Sequence, residues 1–188
     1  MAESDAAVVA QVRDGDSGAF RVLVERHSRV VFRLAYRLTG NQQDAEDVVQ
    51  ETFLRAFRQL KRFESRASFG TWIHRIAVNC SVDLLRARPK AQACASLDDA
   101  GAGGVAETPD EDAIGPDRWA ASAEIRLSLS RALDDLTPAE RAAFVLRHFE
   151  GRSLEEIGEA LGLRASATKH SIFRAVQKMR RALEPLVT

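Results

Sequence analysis

Residues 41–60, NQQDAEDVVQETFLRAFRQL, decide the fold. Ala45, Val48, Val49, Thr52, Phe53, Ala56, Phe57 and Leu60 recur at three- and four-residue steps, the spacing of an apolar stripe on one face of a helix that needs a core. Asp44, Glu46, Asp47 and Glu51, with Gln50 among them, gather toward the start, while Arg55, Arg58, Lys61 and Arg62 gather at the end. Matching of charge to the helix dipole accounts for that order. It leaves Leu54 unexplained, because this residue sits off the stripe among the charged positions. Leu54 therefore predicts an outward face shaped to receive a partner.

On the N-terminal side, Ser4 is placed to cap a short helix carrying Val8, Val9 and Val12. The turn Asp14-Gly15-Asp16-Ser17-Gly18 ends that helix and caps the next. The second helix puts Phe20, Leu23, Val24, His27, Val30, Val31, Leu34, Ala35 and Leu38 on one face, and His27 reads as a core-edge histidine because no nucleophile or orienting carboxylate is near it in sequence. Thr39-Gly40-Asn41 closes this helix and caps the central one.

On the C-terminal side comes KRFESRASFGTW, a basic loop with two phenylalanines. Exposing either ring forfeits about 1.5–3 kcal/mol of burial, so the rings tuck under the loop or line a pocket that can hold a base. The helix that follows places Phe69, Trp72, Ile73, Ile76, Ala77, Cys80, Leu84 and Leu85 inward and Arg75, Asn79, Asp83 and Arg86 outward. An outward asparagine inside a helix gains no packing, but it can both donate to and accept from a nucleobase edge.

Pro89 ends this helix, and the apolar period disappears from Lys90 to about Pro116. ASLDDAGAGGVAETPDEDAIGP is too polar and glycine-rich to offset its ordering entropy, which predicts a flexible acidic linker. Beyond it, Ile125, Leu129, Ala132, Leu133 and Leu136 form one amphipathic pattern. Thr137-Pro138-Ala139-Glu140 is a capping box with proline at the first helical position, opening a helix with Ala142, Val145, Leu146 and Phe149 that stops at Gly151. Ser153 and Glu156 form a second box before Leu154, Ile157 and Leu161, and Gly162 ends that short helix. A last helix begins near Ser166 with Ile172, Val176, Met179 and Leu183 inward. Two short helices around a glycine turn predict a helix-turn-helix.

Charge supports that reading. The chain has 188 residues, 45% apolar and 29% charged, with no net charge, but the charges are segregated. Between Gln50 and Lys90 nine bases face three acids, and between Arg164 and Leu183 there are six bases and no acid. Acids dominate between Ala91 and Glu124. Two basic patches around an acidic segment point to a polyanion gripped at two places. The expected architecture is all-α: residues 1–89 and 118–188 as two small helical domains, joined by a linker over 90–117.

Other classes find little support. No apolar run approaches the roughly 20 residues that span a bilayer, and the N-terminus lacks a basic segment followed by an apolar core, so a cytoplasmic protein is expected. Cys80 and Cys94 read as two reduced thiols, and the four histidines show no ligand spacing, so no metal is expected. There is no glycine-rich phosphate loop, no paired nucleophile and base and no cofactor motif, which argues against an enzyme or a small-molecule substrate.

GDSGAFRVLVERH, DAEDVVQETFLRAF, SFGTWIHRIAVNCSVDLLR and LTPAERAAFVLRHFEGRSLEEIGEALGL, followed by the basic helix, together resemble the extracytoplasmic-function (ECF) subgroup of bacterial RNA polymerase sigma factors. The resemblance covers both domains. It implies a factor that binds core RNA polymerase and directs promoter-specific initiation, with Asp44, Asp47, Gln50, Glu51 and Leu54 docking on the clamp coiled coil. It further implies that Phe63, Arg66, Ser68, Phe69, Arg75 and Asn79 serve the −10 element of promoter DNA, and that Lys169, His170, Phe173 and Arg174 face the −35 element. Family members commonly carry a Gly-Thr-Val-Lys-Ser-Arg-like run where this chain has Ser166-Ala167-Thr168-Lys169-His170-Ser171, which removes a hydroxyl at 167 and a base at 171. Whether an anti-sigma factor binds stays open. A stand-alone helix-turn-helix regulator is the alternative, but it leaves the central helix and the aromatic basic loop without purpose.

Overall fold

The computed structural model of the chain describes residues 4–63, 67–88, 128 and 131–184. Every regular element among them is helical. The chain forms two compact units, Met1–Leu85 and Arg86–Thr188. The acidic linker expected over 90–117 lies outside the described residues, as do Ile125, Leu129 and Arg66.

The first unit contains α1 (Asp5–Arg13), α2 (Phe20–Thr39), α3 (Gln42–Gln59) and α4 (Phe69–Ala87). Its stops and starts are the expected ones. The Ser4 hydroxyl accepts from the Ala7 N–H at 3.3 Å, and Asp16 accepts from the N–H groups of Gly18 and Ala19. Gly40 ends α2 in the left-handed region, at φ 73°, which costs a side-chain-bearing residue strain that glycine escapes. Asn41 then caps α3 through the Asp44 N–H at 2.9 Å.

Helices α2 and α3 pack along their lengths, burying Leu23, Val31, Leu34 and Leu38 against Ala45, Val48, Phe53 and Ala56. Helix α4 is buried around most of its circumference, including Val78, Ser81 and Val82, which the apolar pattern did not assign inward. The expected stripes are corrected at two positions. Val30 and Phe57 are exposed rather than buried, since each lies at the margin of its stripe. Phe57 still covers Phe20 edge-on, with ring centroids 5.1 Å apart.

The second unit contains α5 (Pro138–His148), α6 (Leu154–Leu161) and α7 (Ala165–Leu183), preceded by helical residues 131–134. Both capping boxes form, at Thr137 with Glu140 and at Ser153 with Glu156. Helices α6 and α7 cross closely at Gly158, where an added Cβ would sit 2.9 Å from the Leu163 carbonyl oxygen and 3.2 Å from Thr168 Oγ1. Gly162, at φ 64°, makes the turn between them. Ala132, Leu136, Ala175 and Met179 form a buried cluster flanked by Leu133 and Phe144.

Two expectations are corrected here. Phe149 is the C-cap of α5, its N–H still bonded to the Val145 carbonyl, and is exposed rather than inward. The buried line of α7 runs through Thr168, Ala175 and Met179, leaving Ile172, Val176 and Leu183 only half-buried. The Thr168 hydroxyl is tolerated inside because it donates to the Arg164 carbonyl at 3.2 Å.

Candidate nucleic-acid and partner interface

The outward face of α3 is a coherent surface. Asp47, Gln50 and Leu54 are exposed, and Asp44 and Glu51 are half-buried. Leu54 retains 44% of its accessible surface and, at 100° per residue, lies roughly 170° around the helix from the middle of the buried stripe. Glu51 also serves the fold, since its Oε1 accepts from Arg55 Nε at 2.5 Å, and Arg55 Nη1 reaches Asp83 on α4 at 3.1 Å. Those two carboxylates hold the Arg55 guanidinium in its charged form and tie α3 to α4.

The segment between α3 and α4 resolves the choice left open for its phenylalanines. Phe63 and Phe69 are both buried. Their rings meet edge-on at 6.2 Å, and Trp72 lies 4.8 Å from Phe63 and 5.7 Å from Phe69. The rings are therefore tucked, and they shape the segment rather than offer a free stacking face. Ser68 is also committed locally, because its Oγ accepts from the Thr71 N–H at 3.1 Å and so caps α4. What α4 leaves exposed is one stripe, Thr71, Arg75, Asn79, Asp83 and Arg86, with Ala87 at its end. The Asn79 side chain makes no hydrogen bond to a described residue, and it is exposed.

On α7, Lys169, His170, Phe173 and Arg174 are all exposed and share one face. Phe173 keeps 62% of its surface accessible, the highest value among the exposed large apolar residues. Lys178, one of the six bases counted between Arg164 and Leu183, points the other way. Its Nζ donates to Glu140 Oε2 at 2.7 Å and to the Asp135 carbonyl at 3.1 Å. Burial pushes the Glu140 carboxyl up, but Lys178 and the Thr137 N–H outweigh burial and hold it below the ordinary carboxylate range. That lysine is a tie inside the unit.

Sequence reasoning missed Arg13. Its Nε donates to the Leu60 carbonyl at 3.2 Å and its Nη2 to the Phe63 carbonyl, partners some 50 residues away along the chain. Asp5 also reaches beyond its own helix, to Arg26 at 2.9 Å and His27 at 2.8 Å on α2. Burial pushes the Asp5 carboxyl up, and these two hydrogen bonds more than offset it. His27 thus sits at the core edge, as expected. Cys80 is free and buried, and no group of three His, Cys, Asp or Glu side chains that could hold a metal occurs among the described residues. No described helix is long and apolar enough to cross a membrane.

Residues 23–90 match the sigma-70 region 2 family and residues 126–179 match sigma-70 region 4. The matched segments carry the α3 and α4 surfaces in one case and the helix-turn-helix in the other, which defines the class as a sigma-70-type transcription initiation factor. The ECF factor SigW of Bacillus subtilis is 31% identical over 95% of this chain and 96% of its own length. SigE of Mycolicibacterium smegmatis is 40% identical over 84% of this chain, a match that spans 59% of SigE. The structure of CnrH in complex with the cytosolic domain of CnrY covers 97% of this chain at 28% identity, with a TM-score of 0.62. The chain belongs to the ECF RNA polymerase sigma factors, a family of initiation factors rather than enzymes.

Proposed function

We propose that the work of initiation is divided among three faces. The outward face of α3, through Asp47, Gln50 and Leu54 with Asp44 and Glu51 beside them, docks on the clamp coiled coil of core RNA polymerase. Arg75 and Asn79 on α4 take an unpaired base of the −10 element, with Phe63, Ser68 and Phe69 shaping the adjoining segment and Arg66 supplying charge beside it. Lys169, His170, Phe173 and Arg174 on α7 enter the major groove of the −35 element. Residues 1–89 and 118–188 act as separate domains on the two elements, in the cytoplasm, with 90–117 linking them. An anti-sigma partner would silence the factor by covering the α3 and α7 faces together; that the similar CnrH forms a complex with the cytosolic domain of CnrY supports a protein partner.

One observation carries this reading: α3 exposes Leu54 between acids on the side opposite its core stripe. Folding alone provides no reason to leave it there, and a stand-alone helix-turn-helix regulator has no use for it. Asp47→Lys combined with Leu54→Asp is expected to weaken assembly with core polymerase by at least about tenfold, a change of ~1.4 kcal/mol. Stability should stay within about 0.5 kcal/mol, since neither side chain supports the fold. Glu51 is best left intact, because reversing it also disturbs Arg55 and Asp83. Unchanged polymerase affinity in the double variant overturns the assignment. Tight binding of the free protein to −35 duplex, without polymerase, favours the stand-alone regulator.

A further inference from the structure

Helix α1 precedes the region 2 match, which begins at residue 23, yet its Arg13 meets the α3 end of the segment that joins α3 to α4, and its Asp5 bears on the α4 end through His27 of α2. At the α3 end, the Arg13 guanidinium donates to the carbonyls of Leu60 and Phe63. These carbonyls close a helix terminus, where intrahelical donors run out and a cation is favoured. At the α4 end, Asp5 Oδ2 holds His27 Nε2 at 2.8 Å, and the His27 ring lies 5.2 Å from that of Phe69. Gly70 lies beside the same imidazole, where a Cβ would stand 3.5 Å from His27 Cε1, an ordinary packing distance. Both ends meet in one aromatic cluster, since Phe63 and Phe69 contact each other and Trp72.

We infer that α1 is a strap that fixes the placement of Phe63 and Phe69 for base capture at the −10 element, with Arg13, Asp5 and His27 as positioning residues. None of the three needs to touch DNA. Arg13 fixes where Phe63 leaves α3, and Asp5 fixes the imidazole against which Phe69 enters α4. The inference rests on the proposed role of that segment and of Asn79 in the −10 element.

Trp72 provides a readout that needs neither polymerase nor DNA. The chain has two tryptophans, so a Trp119→Phe background leaves Trp72 alone to report. In the full-length protein, Arg13→Ala should increase acrylamide quenching of Trp72 while helix content is retained, and Arg13→Lys should restore part of the protection. Asp5→Asn tests the other end in the same way. In reconstituted holoenzyme, Arg13→Ala should weaken binding to a forked promoter whose −10 bases are already unpaired by about tenfold. Assembly with core polymerase and binding to −35 duplex should not change. Unaltered quenching in both variants overturns the strap. Asn79→Ala separates its failure from that of the reading beneath it. If Asn79→Ala loses fork binding and Arg13→Ala does not, the base site stands and the strap falls. If neither loses it, the −10 assignment itself is wrong and the inference goes with it.

Discussion

Glu140 shows how much one side chain can be asked to do. It closes the α5 capping box through the Thr137 N–H at 3.0 Å and anchors α7 through Lys178. Glu140→Ala removes both contacts and leaves the lysine without its carboxylate, so a loss of about 2 kcal/mol is expected by urea unfolding. Glu140 and Asp5 both bind a proton less readily folded than unfolded, because their carboxyls are held below the ordinary values of 4.5 and 3.8. The stability they contribute is therefore complete above that range and is lost as pH falls through the lower folded values. Melting temperature should drop in acid below about pH 4.5, and less steeply in Glu140→Gln. Gly158 is constrained by space instead. Gly158→Ala drives a methyl into the Leu163 carbonyl and should cost about 1–3 kcal/mol, read by thermal unfolding.

Helices α3 and α7 share a logic: each spends one face on the core and exposes an apolar residue on the other. On α7 the substituted positions Ala167 and Ser171 leave fewer groups to hold the DNA backbone, so we propose a phosphate role for Arg174 and Lys169 and a base-facing role for His170 and Phe173. If Arg174 grips a phosphate, Arg174→Ala should weaken binding of all −35 sequences alike and reduce the slope of log affinity against log salt by about one. A selective loss of about 1–3 kcal/mol at a single base pair would assign it to a guanine edge instead. Lys178→Ala should affect DNA affinity far less than Arg174→Ala, because its ammonium is held by Glu140, and should lower the melting temperature instead.

For the molecule as a whole, two separately packed units and a polar connecting sequence predict separable activities. A fragment of residues 1–89 should retain core polymerase binding, and residues 118–188 should retain weak −35 binding; mild proteolysis of the intact chain should cut first between them. Failure of both fragments to fold, measured by circular dichroism, would count against this division. Each unit contains its own buried cluster, and that is the physical ground for the expectation.

The helices, their caps and their glycine stops were legible along the chain because they depend on neighbours within four residues. Asn41 needs only the Asp44 N–H, and Thr137 needs only Glu140. The outward positions of Leu54 and Asn79 followed from the same 3.6-residue period. Margins of stripes were less secure: Val30 and Phe57 satisfy the period, but their burial depends on how far the facing helix extends. Whether Phe63 and Phe69 tuck under the loop or line a pocket that can hold a base was open in the sequence, since either arrangement hides apolar surface. Only the folded chain brings Trp72 against both rings. The Arg13, Asp5 and Lys178 ties had no local trace at all. Each spans more than twenty residues, and a charged side chain in a helix looks the same in sequence whether it faces solvent or a distant carbonyl.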